Sequence, residues 1–299
     1  MKPFIYLVVI ILCTQCSLDQ YEPEKHANDT DQTEVNSMDT VPSECQAFME
    51  AMQANDMDRL LQQLKLCSES KEEGVLEYLL ALLDQDQVDG LLKMDVIMAI
   101  GDMGDPHAVE PLIMQLEKDM TERRGLAGAI IPALGLLKDR KAAPILLKAL
   151  NWREDQWLFR NMAAVALGQI GDPSAVKDLI HASYLADTRD DAIQALVPLK
   201  DERSVPVFLD AMDSGEEEAT RQAALLGLKM VGEKAIPKIS NALNAFSSEY
   251  PAIESRKLLV RLLGDIGTEE AQAVLLKVGA RNEDTVVAEE ARNVLARIK

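Results

Sequence analysis

Histidines and cysteines are the side chains of this chain best suited to metal binding or covalent chemistry, and they are few: three His and four Cys in 299 residues. His107 and Glu110 are three residues apart on a predicted helix, but no further ligand follows at a suitable spacing. The sequence contains neither a Walker loop nor a Gly-x-Ser-x-Gly motif. We therefore expect no catalytic residue, no metal and no cofactor, and we predict that the protein is not an enzyme.

Cys45 and Cys67 are predicted to form a disulfide bond. A capping box at Ser43 and Gln46 predicts one helix, and the turn at Asn55 predicts a second, antiparallel helix. Each thiol then lies on an apolar stripe that faces the other helix. Closing this loop would stabilise the fold by about 3 kcal/mol. The alternative is a pair of buried, reduced cysteines.

An export signal is predicted over residues 1–15, at the start of the chain. Lys2 precedes an apolar run that is shorter than the roughly 20 residues a membrane-spanning helix needs. The segment Leu12-Cys13-Thr14-Gln15-Cys16 resembles the lipobox of bacterial lipoproteins, which implies lipidation at Cys16. Simple secretion and a retained membrane anchor are the alternatives. In the lipoproteins that this segment resembles, an aspartate directly after the cysteine is associated with retention in the inner membrane, and Ser17 stands there instead. The resemblance therefore implies a lipid-anchored protein of the cell envelope, on the outer membrane and facing the periplasm.

Negative charge is concentrated near the start of the chain. The formal net charge is −19, and residues 17–90 account for −14 of it. A balance of this sign repels phosphate backbones, so we expect no nucleic acid partner. Residues 16–42 contain almost no aliphatic side chains and are predicted to be a disordered acidic tether, either a spacer or a recognition tail.

A turn motif recurs along the rest of the chain. Gly101-Asp102-Met103-Gly104-Asp105-Pro106 returns as Gly168-Gln169-Ile170-Gly171-Asp172-Pro173, with weaker copies at a period of roughly 29 to 35 residues. The last small or polar position of each copy is Gly104, Lys138, Gly171, Lys200, Gly232 or Gly267. This pattern predicts a helical hairpin with capping helices over 43–90 and a repeat array over 91–299, each repeat being two helices joined by a break.

Two stretches carry a family resemblance. Residues Arg160 to Val176 and, less fully, Lys93 to Val109 resemble HEAT-like repeats of the phycobilisome-lyase type. The resemblance covers residues 91–299 and implies an all-α fold, an α-α superhelix or HEAT-like solenoid. Some relatives attach bilins, whereas most such arrays are interaction scaffolds.

A basic residue precedes most of the turns by eight positions, and we predict that these residues form a ladder of ion pairs with acidic residues in the successive loops. The basic residues are Lys93, Arg160, Arg189, Arg221 and Arg256, and the acidic ones are Asp105, Asp139, Asp172, Asp201 and Glu233.

The second helices of such arrays usually line the concave face, so their exposed positions are candidates for binding a protein partner. The candidates are Met114, Lys148, His181, Asp210, Asn241 and Lys277. Trp152 and Trp157 add either an interaction hot spot or packing over the seam between repeats. The predicted function is a non-catalytic, lipid-anchored scaffold that binds a protein. The alternative is a lyase-like or accessory protein that holds a small ligand or prosthetic group in the concave groove.

Overall fold

The computed structural model describes residues 41–70, 72–122, 125–152, 157–212, 217–244, 253–281 and 285–298. All regular secondary structure in these ranges is helical, which confirms the predicted all-α fold. Within the same ranges, no helix combines the length and the apolar composition that crossing a membrane requires. The predicted signal peptide, Cys16 and nearly all of the predicted tether lie outside the described residues.

The chain divides into two compact units, and the division falls between Ile145 and Leu146, inside a helix. The boundary after residue 90, which the sequence suggests between the hairpin and the repeat array, stays a prediction. The helices of the first unit are α1 (Gln46–Gln53), α2 (Met57–Glu69), α3 (Val75–Leu83), α4 (Gly90–Met103), α5 (Val109–Glu122), α6 (Ala127–Leu137) and the start of α7 (Ala143–Leu150). Within this unit α4 packs against α2 and α3, so the predicted hairpin and the first repeat share one core.

Among its described residues, the second unit contains the end of α7, four helical pairs beyond it and one final helix. Its helices are α8 (Trp157–Ile170), α9 (Val176–Ala182), α10 (Arg189–Leu196), α11 (Val205–Asp210), α12 (Glu218–Val231), α13 (Ile236–Asn244), α14 (Ile253–Ile266), α15 (Glu269–Gly279) and α16 (Thr285–Ile298). The first helices of successive repeats pack side by side, α8 against α10 and α14 against α16 among them. This stacking is the solenoid arrangement that the repeat predicted.

The turns of the repeats share a positive backbone φ angle. All six positions that the sequence singled out have a positive φ: Gly104, Lys138, Gly171, Lys200, Gly232 and Gly267. Lys138 and Lys200 adopt a φ of 54°, which costs a non-glycine residue about 1–2 kcal/mol. The positive φ is therefore kept even in the copies that lack glycine.

Aspartate caps the element that follows each of four turns. The side chain of Asp172 accepts a hydrogen bond from the N–H of Ser174 at 2.8 Å. Asp105, Asp139 and Asp201 do the same for the N–H two residues further on, each at 2.9 Å. An Asp in this position satisfies a donor that the start of a helix would otherwise leave unpaired.

The other glycine of the motif has a different role, which is to let two first helices approach. A Cβ built on Gly168 would lie 2.7 Å from the Cα atom of Ala195 on α10. In the first unit a Cβ on Gly101 would lie 2.8 Å from the Cα atom of Ala133 on α6. Both contacts involve backbone atoms, so a side chain at either position would push the two helices apart.

We expect Gly168→Ala to lower the free energy of unfolding by about 2 kcal/mol, because overpacking outweighs the gain in helix propensity. Chemical denaturation followed by circular dichroism measures the change. Gly90→Ala is the control, since a Cβ at Gly90 meets no atom within 4 Å. Equal stability of the two variants would contradict the close-approach role of Gly168.

Arg160 and Arg189 form ion pairs, but not with the acidic residues of the glycine turns that the predicted ladder assigned to them. Eight residues of helix span about 12 Å, so the basic column lies at the far end of the first helices from the glycine turns. There Arg160 pairs with Asp187, and Arg189 pairs with Asp210 at 3.1 Å. Arg189 also donates to the carbonyl oxygen of Ser183 at 2.8 Å. These arginines therefore secure the connections between one repeat and the next.

A buried carboxylate in the first unit fixes the start of α6. Asp119 is only 2% exposed, and its two oxygens accept hydrogen bonds from the N–H groups of Leu126 and Ala127, both at 2.9 Å. A negative charge at a helix N-terminus is stabilised by the unpaired donors and the helix dipole. The side chain holds the end of α5 and the start of α6 together.

Candidate binding groove and second-helix faces

An open groove of about 1240 Å³ lies in the first unit. Residues 61–69 of α2 form one wall, and residues 95–103 of α4 form the other. Residues 72–74 and the start of α3 complete the lining. The groove therefore lies between α2 and α4, and its lining contains none of the second-helix positions that were predicted from the sequence to bind a partner.

The floor of the groove is partly apolar and open to solvent. Leu61 is 49% exposed, and Met98, Ala99 and Met103 are each partly exposed. Leu64 lies beneath them and is buried. Met side chains are flexible and polarisable, so a floor of this kind adapts to irregular apolar partners.

Carboxylates dominate the polar lining. Seven acidic residues line the groove, against one basic residue, Lys65. The acidic residues are Glu69, Glu72, Glu73, Glu77, Asp95, Asp102 and Asp105. Lys65 is already paired with Glu69 at 3.7 Å. The groove therefore carries a strongly negative field above an apolar floor.

Two carboxyl groups in the groove have pKa values shifted in opposite directions. Burial raises the pKa of Asp95, because removing water disfavours its charged form. The N–H of His107 hydrogen-bonds to Asp105, and this lowers the pKa of the Asp105 carboxyl. An added cation would stabilise the charged form of Asp95 in particular.

Glu72 accepts the hydrogen bonds at the start of the first helical segment, where the sequence predicted a capping box of Ser43 and Gln46. Its carboxylate accepts hydrogen bonds from the N–H groups of Glu44 and Ser43, both at 2.9 Å, and from the Ser43 hydroxyl at 3.0 Å. Ser43 therefore does not pair with Gln46, because an acid from the loop before α3 satisfies the same donors. Backbone hydrogen bonds from Glu44 and Ser43 lower the pKa of Glu72.

We expect Glu72→Gln to lower the melting temperature at pH 7 but to have little effect in acid. A depressed pKa contributes stability above the unfolded value of about 4.5, and that stability is lost as the pH falls through the lower folded value. Thermal denaturation of the wild-type protein and the variant between pH 7 and pH 2.5 tests this. Glu73→Gln is the matched control, and a difference between Glu72→Gln and wild type that does not shrink in acid would refute the assignment.

Cys45 and Cys67 are joined by a disulfide bond, with their Cα atoms 4.8 Å apart. Both cysteines are fully buried, as is Phe48 on α1. Phe48 in turn contacts the ring of Tyr78 edge-on, with the centroids 6.5 Å apart. The bond thus fixes the start of α1 beside the end of α2, the helix that forms one wall of the groove.

The predicted partner-binding positions are exposed on the second helices. In the first unit Met114 on α5 is 69% exposed. In the second unit the exposed set is Lys148, His181, Asp210, Asn241 and Lys277. Asp210 is engaged by Arg189, as described above, so it stabilises a connection between repeats as well as lying at the surface.

Of the two tryptophans, Trp152 has a described side chain. Trp152 is partly buried and stacks on Phe159, with ring centroids 5.5 Å apart and an angle of 29° between the planes. This contact favours packing at the seam over an interaction hot spot for Trp152. Trp157 is the first residue of α8, and its side chain lies outside the described part of the structure.

His107 and Glu110 are each engaged elsewhere. The Nδ1 atom of His107 lies 2.8 Å from the carboxylate of Asp105, and Glu110 pairs with Lys141 at 3.1 Å. Across the described ranges, no three His, Cys, Asp or Glu residues cluster closely enough to hold a metal ion. The absence of a metal or cofactor stays a prediction.

The groove was missed because its residues are brought together from separate helices. One available signal was the excess of negative charge in residues 17–90, which was not followed beyond the predicted tether at 16–42. Part of that charge lies instead on folded elements, at Glu69, Glu72, Glu73 and Glu77. Helical spacing on α4 also places Asp95, Met98 and Asp102 on one face.

Two family descriptions match parts of the chain. Residues 122–196 match "HEAT repeats", and residues 92–118 match "PBS lyase HEAT-like repeat". None of the curated proteins matches the sequence significantly.

Two solved structures resemble the chain in fold. Human deoxyhypusine hydroxylase in complex with glycerol is 20% identical, with a TM-score of 0.38, and the match covers 75% of this chain and 84% of that one. The complex of CpcE and CpcF of phycocyanin lyase from Nostoc sp. PCC7120 is 18% identical, with a TM-score of 0.46, covering 77% of this chain and 98% of the other. At these values the likeness concerns the fold alone.

The expectation that this protein is not an enzyme requires correction. The two solved structures described above are named as enzymes, a hydroxylase and a lyase. A HEAT-like fold does not by itself exclude catalysis. The physical reason is that activity depends on side chains placed on a fold and not on the fold itself. What the repeat pattern and the matches establish is the architecture: the chain carries HEAT-like repeats, including one of the phycobilisome-lyase type.

Proposed function

We propose that this protein is a HEAT-repeat accessory protein, lyase-like in architecture, that holds another molecule in the groove between α2 and α4. The observation that carries the proposal is the groove itself. It offers an apolar floor and a carboxylate rim over about 1240 Å³, more than the 300–1,000 Å³ typical of small-molecule pockets. Three of its carboxylates, on Glu73, Glu77 and Asp95, make no hydrogen bond or ion pair with another described residue.

A photo-reactive amino acid placed at Met98 tests this use of the groove in cells of the native host. Met98 lies six residues before Gly104, and Val165 lies six residues before Gly171, so Val165 is the equivalent position outside the groove. We expect a discrete crosslinked product at Met98 and none at Val165. Crosslinking that is absent at Met98, or equal at both positions, would contradict the proposal.

Binding of a protein partner by the second helices of the second unit is a second candidate function. It is favoured by the exposure of Lys148, His181, Asn241 and Lys277, a mixed polar set at equivalent repeat positions. The same photo-reactive residue at His181 or Asn241 would then yield a protein adduct. Adducts at these positions together with none at Met98 would favour this site over the groove.

Export and lipid anchoring at Cys16 complete the proposal, with the protein in the periplasm on the outer membrane. The support is the resemblance of residues 12–16 to a lipobox and the short apolar run before them. Metabolic labelling with an alkyne fatty acid is expected to mark the wild-type protein and Cys13→Ala, but not Cys16→Ala. Labelling that persists in Cys16→Ala would exclude this acceptor.

A further inference from the structure

The chemistry of the groove indicates the class of molecule that it takes. We propose that the groove binds a basic amphipathic helix of a partner protein, with its apolar side on Leu61, Met98 and Met103 and its Lys or Arg side chains against the carboxylate rim. This inference rests on the proposed function and names its partner.

The dimensions of the groove suit a helix of two to three turns. Its two walls are stretches of α2 and α4 that each span nine residues, or about 12 Å. A partner helix can lie along a surface groove bounded by two such walls, which is the arrangement in which grooves bind amphipathic helices. The groove is partly open to solvent and is not an enclosed cavity.

The apolar floor supplies the surface that such a helix would bury. Leu61 is half exposed, although it follows the buried Leu60 and precedes the buried Leu64 on the same helix. Met98 and Met103 face it from α4. Burying apolar side chains contributes about 25 cal/mol for each Å² removed from water, so covering this floor favours association.

The carboxylates select the charge of the occupant. Glu69, Glu72 and Asp105 are engaged by groups of the protein itself, whereas Glu73, Glu77 and Asp95 have no partner among the described residues. The desolvated Asp95 lies beside Met98, so a cation bound there would also relieve the cost of its buried charge. A neutral or acidic helix would leave these groups unpaired or repelled.

The same charges argue against other occupants. The N-terminal segment of this chain contains seven acidic residues and one basic residue between positions 18 and 41, so it would be repelled. Anionic lipid surfaces and nucleic acids carry the same sign as the rim. A separate partner with both apolar and basic side chains can cover the apolar floor and also pair with the carboxylates of the rim.

Fluorescence anisotropy with the full-length protein and a labelled 18-residue Lys/Leu peptide of helical periodicity tests the inference. A peptide of the same composition in scrambled order and a Glu/Leu peptide are the comparisons. We expect the periodic basic peptide to bind more tightly than both, and more weakly as the salt concentration rises. Neutralising three carboxylates, by Glu73→Gln, Glu77→Gln and Asp95→Asn together, should weaken binding about tenfold.

The matched control neutralises three exposed carboxylates of the second unit, by Glu269→Gln, Glu270→Gln and Glu289→Gln. It should change the affinity less than twofold. Leu61→Ser should also weaken binding, whereas Leu226→Ser, at a residue of nearly equal exposure on α12, should not. Circular dichroism of every variant establishes that it is folded.

Three results would overturn the inference: equal weakening by the two triple variants, equal binding of the scrambled peptide, or displacement by spermine at the same charge concentration. The last two would assign the groove to polycations of any shape. If the periodic peptide does not bind but Met98 still crosslinks in cells, the proposed function stands and the class of partner is wrong. If Met98 does not crosslink either, both fail.

Discussion

Replacing Asp119 with alanine is expected to lower the free energy of unfolding by about 3–5 kcal/mol, because hydrogen bonds to a charged group contribute about 1.5–3 kcal/mol each. The variant loses two such bonds and leaves the N–H groups of Leu126 and Ala127 buried without their acceptor. Urea denaturation of the full chain, followed by circular dichroism, measures the loss. The first unit should unfold at a lower denaturant concentration than in the wild-type protein.

Asp119→Asn is the control, because it keeps the shape of the side chain and removes its charge. The amide keeps one acceptor oxygen but loses the charge and replaces the second acceptor with a donor, so its stability should lie between wild type and Asp119→Ala. An alanine variant within about 0.5 kcal/mol of wild type, the range of ordinary surface substitutions, would show that the carboxylate does not hold the start of α6.

Removing the disulfide by Cys45→Ala together with Cys67→Ala should lower the free energy of unfolding by about 3 kcal/mol, the chain-entropy value for a closed loop of this size. The two residues are separated by 22 positions, and both are fully buried, so packing changes add to this loss. The denaturation midpoint of the oxidised wild-type protein, compared with the double variant, measures the effect.

Dithiothreitol distinguishes loss of the bond from loss of packing. It should lower the midpoint of the wild-type protein toward that of the double variant and leave the variant unchanged. Intact mass spectrometry of the protein exported by its native host provides an independent check. Free thiols at both cysteines in that sample would contradict an oxidised bond in the cell.

The features that could be predicted from the sequence are those set by neighbouring residues. A glycine or lysine at a positive φ, followed by an aspartate that caps the next turn, involves only four or five consecutive positions. That is why the breaks at Gly104, Lys138 and Gly171 were located correctly. The helical hairpin before the repeats followed in the same way from Asn55 and from the apolar faces that carry Cys45 and Cys67.

The features that were missed depend on residues far apart in the sequence. Glu72 caps a helix start 28 and 29 positions earlier, and no local pattern indicates that contact. In the sequence, Asp119 looks like an ordinary acidic residue of an amphipathic helix. Its role depends on the turn after α5, which brings the N–H groups of Leu126 and Ala127 to its side chain. Arg160 and Arg189 were predicted to pair with acidic residues of the glycine turns, which follow the first helices. The constant spacing of eight residues shows that the basic residues recur, but not which loop lies beside them in the fold.

The six positive-φ turns have a consequence for how this protein can change. Where an aspartate caps the turn, its partner is a main-chain N–H, and the turn itself is defined by backbone torsion angles. Substitutions on the outer faces of the helices therefore leave these contacts intact. Lineages can exchange the residues that meet a partner while inheriting the same scaffold, so the architecture and the recognition surface are free to evolve at different rates.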